Sequence, residues 1–173
     1  MALLAVGCGA EEKPKADKPA VTTTSPQQTQ AGQAQPSAED PSEVLAVIRG
    51  QKGLELTITS AERDPGGFLT VKGQLKNTSD SAATISSQTS GDETEVMKHG
   101  SSLGGATLVD AIGKKRYYVL RDTDGRPLTT TGLSLLSKKS TAAIFLQFPA
   151  PPANTTEVSF QLPTFEPATL KLS

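Results

Sequence analysis

Gly100-Ser101-Ser102-Leu103-Gly104 has the G-x-S-x-G spacing. In a hydrolase that spacing presents a nucleophilic serine between a strand and a helix, with the acid and the histidine later in the chain. Here the one histidine, His99, precedes Ser102, and a strand-like run follows. That order supplies no general base, so a flexible Gly/Ser loop explains the motif better than a catalytic elbow. Asp122-Thr123-Asp124-Gly125 opens like a calcium loop. The glycine and glutamate such a loop needs at its sixth and twelfth positions are Pro127 and Leu133, which favours a tight Asp-Gly turn. Asp92, Glu93 and Glu95 are of cation-binding type, but a solvated acidic loop explains them. Lys114-Lys115-Arg116 is a basic knot that can touch anionic lipid or wall polymer, against a default of a solvated turn. Lys114, Lys115, Arg116, Tyr117, Tyr118, Asp122 and Asp124 are therefore the candidate ligand or partner contacts. No Walker loop, dinucleotide fingerprint or metal-spaced His/Cys set occurs, so no catalytic residue, metal or cofactor is expected.

The remaining reactive side chain is Cys8, the only cysteine. It follows Leu3-Leu4-Ala5-Val6-Gly7 and precedes a long polar tract, the context of a bacterial lipoprotein cleavage and lipidation site. Gly7 is small enough for the peptidase. Ala5 stands where leucine is commoner, and the basic start and full apolar run are missing, which a start codon assigned too far downstream or a trimmed chain explains. The alternative is an inert buried thiol. Two acyl chains anchor stably, at ~0.8 kcal/mol per buried methylene. The expected place is the outer, extracytoplasmic face of the cell membrane.

Residues 9–42 carry Pro14, Pro19, Pro26, Pro36 and Pro41 among polar residues and alanine, with Val21 the only large apolar side chain. Such a stretch cannot bury enough surface to offset its conformational entropy, so a disordered linker is predicted. As a flexible coil it reaches ~30–35 Å. The domain plan is a truncated signal and lipobox over 1–8, this linker over 9–42, and one folded domain over 43–173.

The folded part must position the candidate residues. Asp40-Pro41-Ser42-Glu43 reads as a helix start, with Val44, Val47 and Ile48 on one face and Gly50 as a stop, although the β-branched content argues for a strand. From Leu54 the apolar period becomes two. Leu54, Leu56 and Ile58, then Leu69, Val71, Gly73 and Leu75, alternate with polar residues across Asp64-Pro65-Gly66-Gly67, which predicts a hairpin closed by Asn77-Thr78-Ser79-Asp80. Ala83 to Ile85 is a short strand and 86–104 a long loop. Ala106 to Val109 and Arg116 to Arg121 form a second hairpin. Thr141 to Phe148, Val158 to Leu162 and Leu170 to Leu172 complete seven or eight strands, the pattern of an antiparallel, immunoglobulin-like β-sandwich without the antibody Cys-Trp-Cys core. Phe68, Phe145, Phe148, Phe160 and one of Tyr117/Tyr118 are the predicted bulky core residues. Adjacent tyrosines on a strand point to opposite faces, so the other is exposed.

Three stretches carry a resemblance: Ala61 to Val71, Gly105 to Asp110 continuing through Lys114 to Asp122, and Phe148-Pro149-Ala150-Pro151-Pro152. Together they resemble actinobacterial, streptomycete-type secreted lipoproteins of unassigned function, whose module also occurs ahead of outer-membrane-protein-A-like peptidoglycan-binding domains. The resemblance covers 44–173 and implies an immunoglobulin-like fold and an extracytoplasmic place, but no activity. Relatives often show Cys-Leu-Cys after the Asp-Gly turn, where this chain has Pro127-Leu128-Thr129, and wall binding through a peptidoglycan-binding domain is not among the properties the resemblance over 44–173 implies.

A net charge of −1 gives no field for nucleic acid, and no nucleic-acid partner is expected. The partners expected are the membrane, through the lipid anchor, and an envelope protein or wall component. The leading expectation is a non-enzymatic protein-interaction or structural module of the envelope. The alternative is a binding module for a small envelope ligand, a glycan or a cation, using the 86–104 and 122–133 loops.

Overall fold

The computed structural model describes residues 43–173. Cys8, the predicted signal and the predicted linker lie outside the described residues, as do Asp40, Pro41 and Ser42 of the expected helix start. The strands in chain order are β1 (Ala46–Arg49), β2 (Leu54–Arg63), β3 (Phe68–Asn77), β4 (Ala83–Thr84), β5 (Thr107–Asp110), β6 (Lys115–Tyr118), β7 (Leu135–Leu136), β8 (Thr141–Pro149), β9 (Glu157–Gln161) and β10 (Ala168–Lys171). A single-turn helix, α1 (Thr94–Met97), follows a 3₁₀ turn at Ser87–Ser90. All named strand pairings are antiparallel. One four-stranded sheet has the order β1-β2-β3-β8, the other β10-β9-β5-β6, and β4 pairs with β7.

Period-two alternation builds the core. Leu56, Ile58, Leu69, Val71, Leu75, Leu146 and Phe148 of the first sheet enter one hydrophobic cluster with Leu108, Val158, Phe160 and Leu170 of the second. The chain is thus all-β and sandwich-like, with two sheets contributing to a single core.

The first hairpin forms as the alternation predicts, with Leu56 opposite Leu75 and Ala61 opposite Val71. Its register shifts between Ile58 and Ser60, and Gly73 sits opposite Ile58 at that irregularity. A β-carbon on Gly73 would lie 2.1 Å from the Thr57 carbonyl oxygen, so the close backbone approach needs glycine here.

Four expectations are corrected. The segment before Gly50 is strand β1, not a helix: Ala46 to Arg49 pair with Ile58 to Glu55, and the edge of β2 outweighs the local helix signals. Among the described residues there are ten strands, the additional ones being β1 and the two-residue β7. Phe145 and Phe68 are exposed, at 43% and 42%. Ile144, Leu146 and Phe148 face inward on β8, so Phe145 must face outward, and Phe68 lies at the end of β3 opposite Pro149. Finally, β6 ends at Tyr118 rather than Arg121. The chain then leaves the second sheet, and the Leu120 amide donates to the Gln147 carbonyl on the free edge of β8. Leu128 and Thr130 continue along that edge, through the Gln147 amide to the Leu128 carbonyl and the Thr130 amide to the Phe145 carbonyl. A crossing segment thus covers an edge that would otherwise invite intermolecular pairing.

Candidate functional site

The β5–β6 hairpin places the predicted contact residues. Asp110 and Lys115 close it, and Arg116, Tyr117 and Tyr118 lie opposite Val109, Leu108 and Thr107. Leu108 is buried, so Tyr117, on the same side, turns inward, while Arg116 and Tyr118 face out. Tyr118 is 57% exposed, as the alternation of adjacent tyrosines requires. The Tyr117 hydroxyl is buried and has no hydrogen-bond partner among the described residues. Burial, helped by the Asp110 charge, pushes its ionisation above the usual tyrosine range.

Arg116 and Tyr118 line a groove of about 390 Å³ together with Arg121, Gln88, Asp92 and Glu93. Its inner wall is made by the close packing of two loop segments. A β-carbon on Gly105 would meet the Gly91 nitrogen at 2.7 Å, and Gly91 has φ +92°, so both positions require glycine. Val96 of α1, itself buried, lines the groove beside Gly104. At the mouth, Arg121 pairs with Glu93 at 2.5 Å. The hydrogen bond from Arg121 holds the Glu93 carboxyl below its usual range and raises the guanidinium. Arg116 joins no ion pair among the described residues.

Two further hollows continue the groove. One of about 350 Å³ shares Gly105, Thr107, Arg116 and Pro163 with it and adds Gln161 and Thr164. Another, of about 280 Å³, shares Gln88, Ser90, Gly91 and Asp92 and extends to Met97 and Ser101. A larger hollow of about 690 Å³ lies over the outer face of the first sheet beside Lys72, Gln74 and Phe145, and gathers none of the predicted contact residues.

The other candidates build backbone. Asp122 Oδ1 accepts from the Asp124 and Arg126 amides at 2.9 and 2.8 Å, which makes the predicted Asp-Gly turn. His99 Nε2 donates to the Asp124 carbonyl at 2.9 Å, which sets the proton on that nitrogen. Ser102 is 1% exposed, its hydroxyl oxygen accepts from the Gly104 amide, and its own amide donates to Ser90 Oγ. Lys114 stands in the turn at φ +51° and Lys115 opens β6, and neither lines the groove. The 86–104 and 122–133 loops do meet, through the Ser102–Thr131 bridge and the Gly132 amide to Ser101 carbonyl bond. Only the first of them lines the groove.

Sequence reasoning missed Arg121, Gln88, Thr107 and Gln161. Arg121 was readable as the charge that ends the expected strand Arg116 to Arg121, but its partner Glu93 lies in a separate loop. Thr107, which is 7% exposed, and Gln161 were readable as polar positions of alternating strands, yet nothing local shows that they are neighbours. No protein-family model matches the chain, and neither the curated proteins nor the solved structures yield a match.

Proposed function

We propose that this chain is a membrane-tethered extracytoplasmic lipoprotein whose folded part is an immunoglobulin-like β-sandwich. In this reading it serves the cell envelope as a non-enzymatic protein-interaction or structural module. The observation that carries the non-catalytic part is the use of its reactive groups. Ser102, His99, Asp110 and Asp122 are each engaged in hydrogen bonds that hold loops and turns. The exposed Tyr118, and Arg116, which joins no ion pair among the described residues, instead face an open groove. The Gly7-Cys8 context supports the tether. Expressed with a lipoprotein signal peptide placed ahead of Cys8 in a bacterium that processes lipoproteins, the wild-type chain should partition with membranes and Cys8→Ser with the soluble fraction. Membrane retention of the Cys8→Ser chain would sink the tether. Pull-down from envelope extracts should retain a partner that a chain altered at Arg116 and Tyr118 loses.

The groove favours the second reading, a small envelope ligand, and within it a glycan over a cation. Its lining mixes an aromatic ring, guanidinium groups and amide side chains. Among the described residues no cluster of three or more His, Cys, Asp or Glu side chains is placed to hold a metal.

A further inference from the structure

Resting on that second reading, we propose that the groove binds a linear oligosaccharide bearing carboxylates, with a sugar ring stacked on Tyr118 and a carboxylate held by Arg116. Direction is the first argument. Gln161 pairs with Thr107 across β9 and β5, and Thr107 pairs with Tyr118 across β5 and β6. All of them line the continuous hollows, so the groove runs across the strands. A peptide adding to a sheet edge lies along the strands and reads alternate side chains. A trough that crosses them gives such a peptide no backbone ladder. It suits a chain recognised through its faces and hydroxyls.

Size is the second. The three hollows of about 280, 390 and 350 Å³ are joined end to end by shared residues, an elongated site rather than a socket for one ion. The third is chemistry. Tyr118 offers an exposed ring with a polar tip, which packs on the apolar face of a sugar and still meets water. Gln88 and Gln161 bring amides that both donate and accept, matching hydroxyl groups that do the same. Arg116 has no carboxylate partner among the described residues, whereas Arg121 already holds Glu93. Arg116 is thus the guanidinium left to bind a ligand carboxylate, a geometry it can satisfy bidentately. Asp92 and Glu93 nearby disfavour a densely anionic polymer, so the carboxylates should be spaced along a largely uncharged chain.

The test is titration of the full chain by NMR and calorimetry with three probes. These are short oligogalacturonates with part of their carboxylates methyl-esterified, their fully methyl-esterified counterparts, and oligoglutamate. The partly esterified sugar should bind, with shifts at Thr107, Tyr118 and Gln161. Tyr118→Ala should weaken it about tenfold. Arg116→Ala should weaken it by about the same factor while leaving the fully esterified sugar unchanged. Both side chains are exposed, so the variants should keep the wild-type unfolding midpoint, and Lys76→Ala, on the other sheet, should keep wild-type affinity. No binding of either sugar at millimolar concentration overturns the proposal. So does equal binding of both sugars that ignores Arg116→Ala. Oligoglutamate binding along β6 without sugar binding also overturns it, but leaves the module as a binder of protein segments.

Discussion

Asp110 holds the turn that presents Arg116 and Tyr118. Its Oδ1 accepts from the Ile112 and Gly113 amides at 3.0 and 2.8 Å, and its Oδ2 from the Thr155 hydroxyl at 2.8 Å. The Gly113 amide, then the Thr155 hydroxyl, holds its carboxyl below the usual range, with burial opposing them. A depressed folded-state value means a contribution to stability that is present above the ordinary carboxylate range. It is lost as pH falls through the folded value. Asp110→Asn should therefore lower the unfolding midpoint near neutrality and flatten its decline in acid, measured by thermal melts across pH. An unchanged acid slope would show that Asp110 does not titrate with folding. Asn77 is a second such residue. It is fully buried, and its Nδ2 donates to the Ser81, Leu136 and Ser137 carbonyls. Asn77→Ala should cost about 2–3 kcal/mol in denaturant unfolding, because it strands buried acceptors. The turn role of Asp122 was legible in its Asp-x-Asp-Gly spacing. The role of Asn77 was only half legible: it reads as a turn residue, and nothing local reveals the carbonyls contributed from the β7 side.

Strands follow period two wherever one face is buried, and this made β2, β3, β5, β8 and β9 readable. The same rule decides the phenylalanines. Phe145 and Phe148 are three residues apart on one strand, so they cannot share a face. Phe148→Ala should cost about 3–5 kcal/mol and Phe145→Ala less than about 1 kcal/mol, compared by denaturant unfolding. Similar losses at both would mean that β8 is out of register. β1 was not readable because the cap-like Asp40-Pro41-Ser42-Glu43 and Gly50 compete as helix signals, and β7 because Leu135-Leu136 shows no alternation and its partner β4 lies elsewhere in the chain. The departure of the chain from β6 after Tyr118 was hidden for a related reason. The Gln147 carbonyl that captures Leu120 belongs to the opposite sheet.

At the scale of the whole molecule, the hydrophobic cluster spans both four-stranded sheets and lies within 45–172. One shared core implies one cooperative transition. A chain beginning at residue 39 should unfold in a single step at the midpoint of the full chain, by calorimetry. A lower midpoint, or two steps, would show that preceding residues add to the fold. What the sequence alone determined is what depends on neighbours along the chain: strand class from alternation, turns from Asp, Gly and Pro, and the chemical context of Cys8. Tertiary structure decided what depends on neighbours through space. It turned Tyr118 and Arg116 outward beside Gln161, Thr107 and Gln88, and it engaged Arg121 with Glu93 while leaving Arg116 open. A groove is a property of surfaces that distant segments bring together, and only the packing of the Gly91 and Gly105 segments beside β6 creates this one.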